Sequence, residues 1–201
     1  MNRNSFLTVC LVAVAVPVLA QHPQHAAAAG SHAASLTKEQ KIASAMSAAP
    51  LSITAHATLM DWGPTSDAPP VQLREGTNGW VCYTSTPVES ANAQDPMCLD
   101  KSWQGWAEAW MAKKDPPTGG TGIAYMLKGD KGASNTDPFA TKATPENAWV
   151  VSPAHVMLLV SDPHMLDSYP TDPKNGGPWV MWKGTAYAHL MVPVSPTGAA
   201  K

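Results

Sequence analysis

Charged residues are scarce in this 201-residue sequence: Lys, Arg, Asp and Glu make up 14% of it, whereas a typical soluble domain has about 25%. The formal net charge is -2, so the chain lacks the basic excess that binds nucleic acid or an anionic membrane surface. The sequence also has no P-loop, no H-E-x-x-H, no G-x-S-x-G and no C-x-x-C-H pattern. We therefore do not expect a nucleic-acid-binding protein, nor an enzyme of the classes that carry these motifs.

An apolar run extends from Phe6 to Leu19, which is too short to span a membrane comfortably. Ala20 follows it as a small residue suited to signal peptidase. This pattern predicts a secretory signal peptide over residues 1–20. We therefore expect a secreted or periplasmic protein without an integral membrane segment after cleavage.

The remainder of the chain is long enough for one domain of ordinary size with its own hydrophobic core. Residues 21–35 are rich in alanine and contain three histidines, which predicts a flexible linker. Residues 36–194 are expected to form a single domain, and residues 195–201 a C-terminal tail.

Cysteine is rare, and of the 3 cysteines Cys10 lies inside the predicted signal peptide. The remaining pair, Cys82 and Cys98, predicts a disulfide in an oxidising compartment. Closing the loop of about 15 residues between them would stabilise the fold by roughly 3 kcal/mol in the chain-entropy model. A free-thiol or metal-thiolate pair is the alternative, although the spacing is far from C-x-x-C.

Two short helices are predicted by their capping residues. Thr37 and Gln40 match a capping box, and Pro50 is expected to stop that helix. Asp100 is expected to cap a second helix, whose tryptophans recur at helical spacing and predict a buried face: Trp103, Trp106 and Trp110.

The rest of the domain has the composition of strands separated by proline- and glycine-rich loops, with 19 prolines in all. The dipeptide Asn78-Gly79 predicts a hairpin between residues 71–75 and 80–84. From Ile53 the sequence is β-like, and residues 179–194 are expected to fold back about Lys183 and Gly184. We therefore predict an α+β fold with a mainly antiparallel sheet, two short helices, long loops and one disulfide.

Histidine and methionine occur two residues apart in two predicted strands, so each pair shares a face of its strand. If the strands are neighbours, four ligands could converge on one soft metal ion: His155, Met157, His189 and Met191. Thioether and imidazole groups favour copper, with methionine selecting Cu(I), whereas calcium and magnesium prefer oxygen ligands. His164 and Met165 follow the first strand and could supplement the set. The partner predicted here is a small ligand or metal ion, and copper is the one cofactor suggested.

Three alternatives remain open. The same methionines could be core filler and the histidines could be bonded to backbone. An envelope-associated or secreted hydrolase could use Asp137 and Asp162 beside His164. Because the sequence has 8 tryptophans and 2 phenylalanines, a glycan- or protein-binding module is the third alternative, with its aromatic platform formed by Trp62, Trp179 or Trp182.

Four phrases of the sequence resemble those of a family of exported bacterial proteins without an established activity: LREGTNGWVCY, DPMCLD, SNTDPFATK and GPWVMWKGTAYAHLMVPV. The resemblance spans most of residues 36–194. It implies export and a single shared fold, and it assigns no catalytic residues.

Overall fold

The computed structural model describes residues 36–63, 68–85 and 94–194. The predicted signal peptide, linker and C-terminal tail lie outside these ranges. Within them are three α-helices, α1 (Lys38–Met46), α2 (Leu51–Thr54) and α3 (Lys101–Met111), and two 3-10 helices, Pro163–Leu166 and Pro173–Asn175. The strands are β1 (Thr58–Asp61), β2 (Val71–Arg74), β3 (Val81–Tyr83), β4 (Met97–Leu99), β5 (Gly122–Met126), β6 (Ala133–Ser134), β7 (Trp149–Val150), β8 (His155–Leu159), β9 (Trp179–Met181) and β10 (His189–Pro193).

Eight of these strands form one sheet in the order β2-β1-β3-β4-β5-β8-β10-β9. Every neighbouring pair is antiparallel except β1 and β3, which are parallel. Strands β6 and β7 form a separate two-stranded ribbon within the long loop that joins β5 to β8. The predicted α+β class with a mainly antiparallel sheet is confirmed. In the described ranges no helix is both long enough and apolar enough to cross a membrane.

The predicted hairpin between residues 71–75 and 80–84 is wrong. Strand β1 lies between β2 and β3 and pairs with both of them. Asn78 and Gly79 instead belong to a loop that crosses the end of β1, where the Asn78 side chain donates a hydrogen bond to the Ile53 carbonyl over 2.8 Å. The Asn-Gly dipeptide indicates that the chain reverses direction. It does not indicate whether the two flanking strands pair with each other or with a third strand between them.

The two predicted helices are present with the predicted caps. The Thr37–Gln40 capping box is formed in both directions. The Asp100 carboxylate accepts a hydrogen bond from the Trp103 backbone N–H at 2.9 Å. Pro50, however, precedes a further short helix, α2, so the segment from Ile53 is helical for two residues before β1 begins.

Helices α1 and α3 cover opposite faces of the sheet. Cys82 and Cys98 lie directly opposite each other on β3 and β4 and form the predicted disulfide, on the face that packs against α1. Leu99 is the next residue along β4, so it faces the other side, where it packs with α3 and with Ala124 of β5. The candidate site lies on this second face, beneath α3.

Candidate soft-metal site

The two strands that carry the His-x-Met pairs are direct neighbours in the sheet. β8 and β10 run antiparallel with Met157 opposite Met191, and His155 opposite Pro193. Residues opposite each other, and residues two apart on one strand, point to the same face. All four predicted ligands therefore share one face, as the metal hypothesis requires, but His155 lies opposite Pro193 and not opposite His189. Metal binding by these residues stays a prediction.

All four side chains are buried. His155 is 0% exposed and His189 is 2% exposed. Met157 and Met191 belong to the hydrophobic cluster formed with Trp103 and Trp106 of α3. The two imidazoles thus lie in the interior of the domain, on the face that carries these methionines, and such an environment is costly for a polar group without a partner.

Each imidazole is oriented by a backbone carbonyl two residues earlier in the chain. His155 Nδ1 lies 2.7 Å from the Pro153 carbonyl oxygen, and His189 Nδ1 lies 3.0 Å from that of Tyr187. A carbonyl only accepts hydrogen bonds, so Nδ1 carries the proton in each ring and Nε2 presents a lone pair. Metal-binding histidines in proteins are commonly oriented in this way, with the second ring nitrogen free for the metal.

Neither Nε2 atom has a hydrogen-bond partner among the described residues, and both are buried. An unsatisfied buried acceptor costs about 1–3 kcal/mol. The backbone-bonded histidine expected from the core-filler alternative is therefore present, but it accounts for only one nitrogen of each ring.

Burial keeps both imidazoles neutral at pH 7. It lowers the pKa of His189 to about 4, and the Tyr187 carbonyl only partly opposes this effect. The neighbouring His155 contributes to this lowering, because like charges near each other disfavour the charged form. Burial also lowers the pKa of His155, against the raising effects of the Pro153 carbonyl and Asp130. A soft cation at either imidazole would thus meet a nitrogen lone pair without displacing a proton.

Three indole rings surround His189. Trp103, Trp106 and Trp182 contact its ring edge to face, with centroids 5.2 to 5.6 Å away. Side chains normally alternate along a strand, yet Met181 and Trp182 lie in the same cluster because Trp182 has a φ of 56°. Its indole N–H donates to the Ser134 carbonyl at 2.6 Å, which holds the ring in place.

Two further methionines, which strand alternation did not predict, complete the cluster. Met126 of β5 lies directly opposite His155, and Met181 of β9 lies directly opposite His189. Both are buried on the same face. A signal for them exists in the sequence, because Met-x-Lys-Gly occurs at residues 126–129 and again at 181–184, and Ala-His-x-Met occurs at 154–157 and 188–191. Only the His-x-Met part of this repeated pattern had been noticed.

His164 and Met165, which had been expected to supplement the metal site, lie outside it. They belong to the 3-10 helix Pro163–Leu166, and the His164 side chain is 88% exposed. His164 Nδ1 is 3.2 Å from Asp167, and this carboxylate and Asp162 raise the pKa of the imidazole. A proline-initiated turn directs both side chains to solvent.

The carboxylates named for a hydrolase are engaged in local turns. Asp162 accepts the His164 backbone N–H at 3.0 Å, and Asp137 accepts that of Phe139 at 2.8 Å. Asp137 lines an open depression of about 490 Å³ together with Glu146, but His164 does not line it. The hydrolase alternative gains no support from this arrangement.

The strand tryptophans named for a glycan platform are mostly interior. Trp179 is 1% exposed and Trp182 is 8% exposed, so both rings are core residues and the platform alternative gains no support from them. Trp62 is half-buried and stacked on Tyr83 at 4.6 Å. Trp103 and Trp106 are core residues, as their helical spacing predicted.

In the described ranges no group of three or more His, Cys, Asp or Glu side chains comes together as a metal site. The cluster described above contains two imidazoles and four thioethers, so its metal chemistry is that of soft ligands. The chain matches no protein-family model, no curated protein and no solved structure. Fold and site define a class only: a disulfide-containing α+β domain with a buried His/Met cluster.

Proposed function

We propose that this chain is an exported protein that holds a soft metal ion, copper as Cu(I), through His155, Met157, His189 and Met191. The observation that carries the proposal is the pair of buried imidazole Nε2 atoms, without a hydrogen-bond partner in the part of the chain that the structure describes, on the same face of the sheet as the Met157–Met191 pair. Bound soft metal ions would satisfy these nitrogens.

The ligand chemistry favours a monovalent ion. Thioethers and imidazoles with protonated Nδ1 are neutral, so the cluster supplies no negative charge of its own. Burying a divalent cation without a carboxylate ligand is costly, whereas Cu(I) and Ag(I) carry one charge and prefer soft donors. Binding requires no electron transfer when copper arrives as Cu(I).

The test is a competition titration of the chain from residue 21 with Cu(I), held reduced by ascorbate so that the disulfide stays intact. A coloured Cu(I) chelator reports the metal that the protein withdraws. We expect withdrawal by the unmodified chain and its loss in the His155→Ala/His189→Ala variant. Absence of withdrawal by the folded, unmodified chain ends the proposal.

Two further variants separate ligand loss from unfolding. Met157→Leu/Met191→Leu conserves side-chain volume and should cost less than about 1.5 kcal/mol per site, yet it removes two thioethers and should weaken Cu(I) binding. Because the predicted linker contains His22, His25 and His32, replacing these three with alanine should leave withdrawal unchanged. Loss of binding in the linker variant alone would place the metal outside the cluster and contradict the proposal.

A further inference from the structure

The repeated sequence pattern gives the cluster two similar halves. In the order β5-β8-β10-β9, the two inner strands carry the A-H-x-M pattern. The two outer strands each end at the methionine of the M-x-K-G pattern. β8 and β5 form the first half, and β10 and β9 form the second. Because β8 and β10 are antiparallel, an approximate twofold axis relates the halves and passes between Met157 and Met191.

The first half places two thioethers beside one imidazole. Met126 is directly opposite His155, which puts their Cβ atoms about 5 Å apart. Met157 is two residues along the same strand and on the same face, about 7 Å away. His155 Nε2, which has no partner among the described residues, and the two sulfur atoms are thus three soft donors on one face of the first half.

The second half repeats this set. Met181 is directly opposite His189, and Met191 is two residues along the same strand. The orienting contact is repeated too, since Nδ1 of each histidine meets the carbonyl of the residue two positions earlier. The surroundings differ, because His189 contacts three indole rings and the pKa of His155 responds instead to Asp130.

The distance between the histidines favours two separate sets over one shared set. His155 is opposite Pro193, which is four residues from His189 along β10. At about 3.4 Å per residue, the two α-carbons are about 14 Å apart along the strands. One ion bound by both imidazoles requires both rings at full reach, whereas each ring already lies beside two thioethers of its own half.

We propose that the cluster is two sites, each holding one Cu(I) or Ag(I) ion: His155 with Met126 and Met157, and His189 with Met181 and Met191. This inference rests on the proposed function and fixes its stoichiometry and its ligands. No proton or electron is transferred, because each donor contributes a lone pair and the ion arrives monovalent.

Native mass spectrometry with Ag(I), which is inert to redox change here, counts the ions on the folded chain. We expect two ions on the unmodified protein. Met126→Leu should weaken one of them at least about tenfold and leave the other, and Met181→Leu should do the same for the second ion. The double variant should lose both. These outer-strand methionines belong to one half each, which makes them better probes than Met157 or Met191.

Tryptophan fluorescence identifies which half is filled. An ion in the second half lies beside Trp103, Trp106 and Trp182 and should quench their emission, so Met181→Leu should abolish the quenching and Met126→Leu should keep it. Met60→Leu, in β1, is the matched control and should change neither readout.

A single ion that is unaffected by either outer-strand substitution would overturn the two-site proposal and leave the proposed function standing. Absence of any ion on the folded chain would overturn both.

Discussion

The two halves of the sheet are stabilised in different ways. Around β1, β3 and β4, the disulfide half, small residues pack closely against the covalent bridge, among them Ala45, Ala48 and Ala57. Around β5, β8, β9 and β10, the His/Met half, large and polarisable side chains pack under α3. Four of the five buried polar side-chain atoms without a partner among the described residues belong to His/Met-half residues: Trp103, Ser152, His155 and His189.

We infer from this difference that the disulfide half contributes more to the free energy of unfolding. The His/Met half leaves the Nε2 lone pairs of its two histidines without hydrogen bonds from the described residues, which costs stability. The covalent cross-link thus lies in one half, and most of the buried polar atoms without a partner among the described residues lie in the other. If this comparison is right, the two properties should be separable by mutation.

The largest effect is expected from removing the bridge. Cys82→Ala/Cys98→Ala, which opens a cross-link between residues 16 apart, should lower the free energy of unfolding by about 3 kcal/mol, measured by urea denaturation. Ag(I) binding should persist, because the bridge lies on the opposite face from the cluster. A decrease in the free energy of unfolding of less than about 1 kcal/mol would contradict the stabilising role assigned to the disulfide half.

Acid should destabilise the His/Met half by a similar amount. The pKa of His189 is about 4 in the folded protein and 6.5 without the fold, so the unfolded chain binds the proton more tightly. The stability is complete above pH 6.5 and falls as the pH decreases toward 4, by about 3 kcal/mol for this residue. Urea denaturation of the metal-free protein at a series of pH values measures the fall. In the His189→Gln variant the free energy of unfolding should depend less steeply on pH. An equally steep dependence would show that groups other than His189 cause the fall.

A moderate effect is expected where α3 begins. The Asp100 carboxylate accepts from the Trp103 N–H at 2.9 Å and from the Ile123 N–H at 2.6 Å, so it joins the helix to β5. Asp100→Ala should cost about 1–2 kcal/mol in thermal or chemical unfolding. Asp100→Asn retains an acceptor and should cost less, and equal losses for the two variants would contradict the capping role.

The smallest effect is expected at the exposed histidine. His164→Ala should change the free energy of unfolding by less than about 0.5 kcal/mol, because its side chain is 88% exposed. Metal binding should not change either. A loss of Ag(I) affinity in this variant would show that His164 contributes to metal binding, which would contradict the assignment of binding to the buried histidines alone.

Local signals in the sequence predicted much of the fold. The caps at Thr37 and Asp100 are governed by hydrogen bonds within four residues, and both are present. The return of residues 179–194 about Lys183 and Gly184 was predicted as well, since β9 and β10 pair through a short connection. The hairpin at Asn78 failed because the insertion of β1 depends on contacts distant in the chain.

The candidate site shows the same division between near and distant information. Strand alternation alone indicated that His155 and Met157 share a face, and likewise His189 and Met191. Met126 and Met181 were missed because no local pattern states which residue lies opposite a histidine on the next strand. The position of Trp182 could not be read from strand alternation, because it follows β9 with a positive φ and is held by hydrogen bonds to residues 134 and 135.

The sequence by itself determined the pairing of Cys82 with Cys98, the helix starts and the mainly antiparallel class, because these follow from composition and from contacts between residues close in the chain. Tertiary structure alone decided that β8 and β10 are neighbours and that Met126 and Met181 lie opposite the two histidines. It also decided that neither Nε2 has a partner within residues 36–63, 68–85 and 94–194. Those features depend on strand order and register, which are set by packing of the whole sheet against α1 and α3.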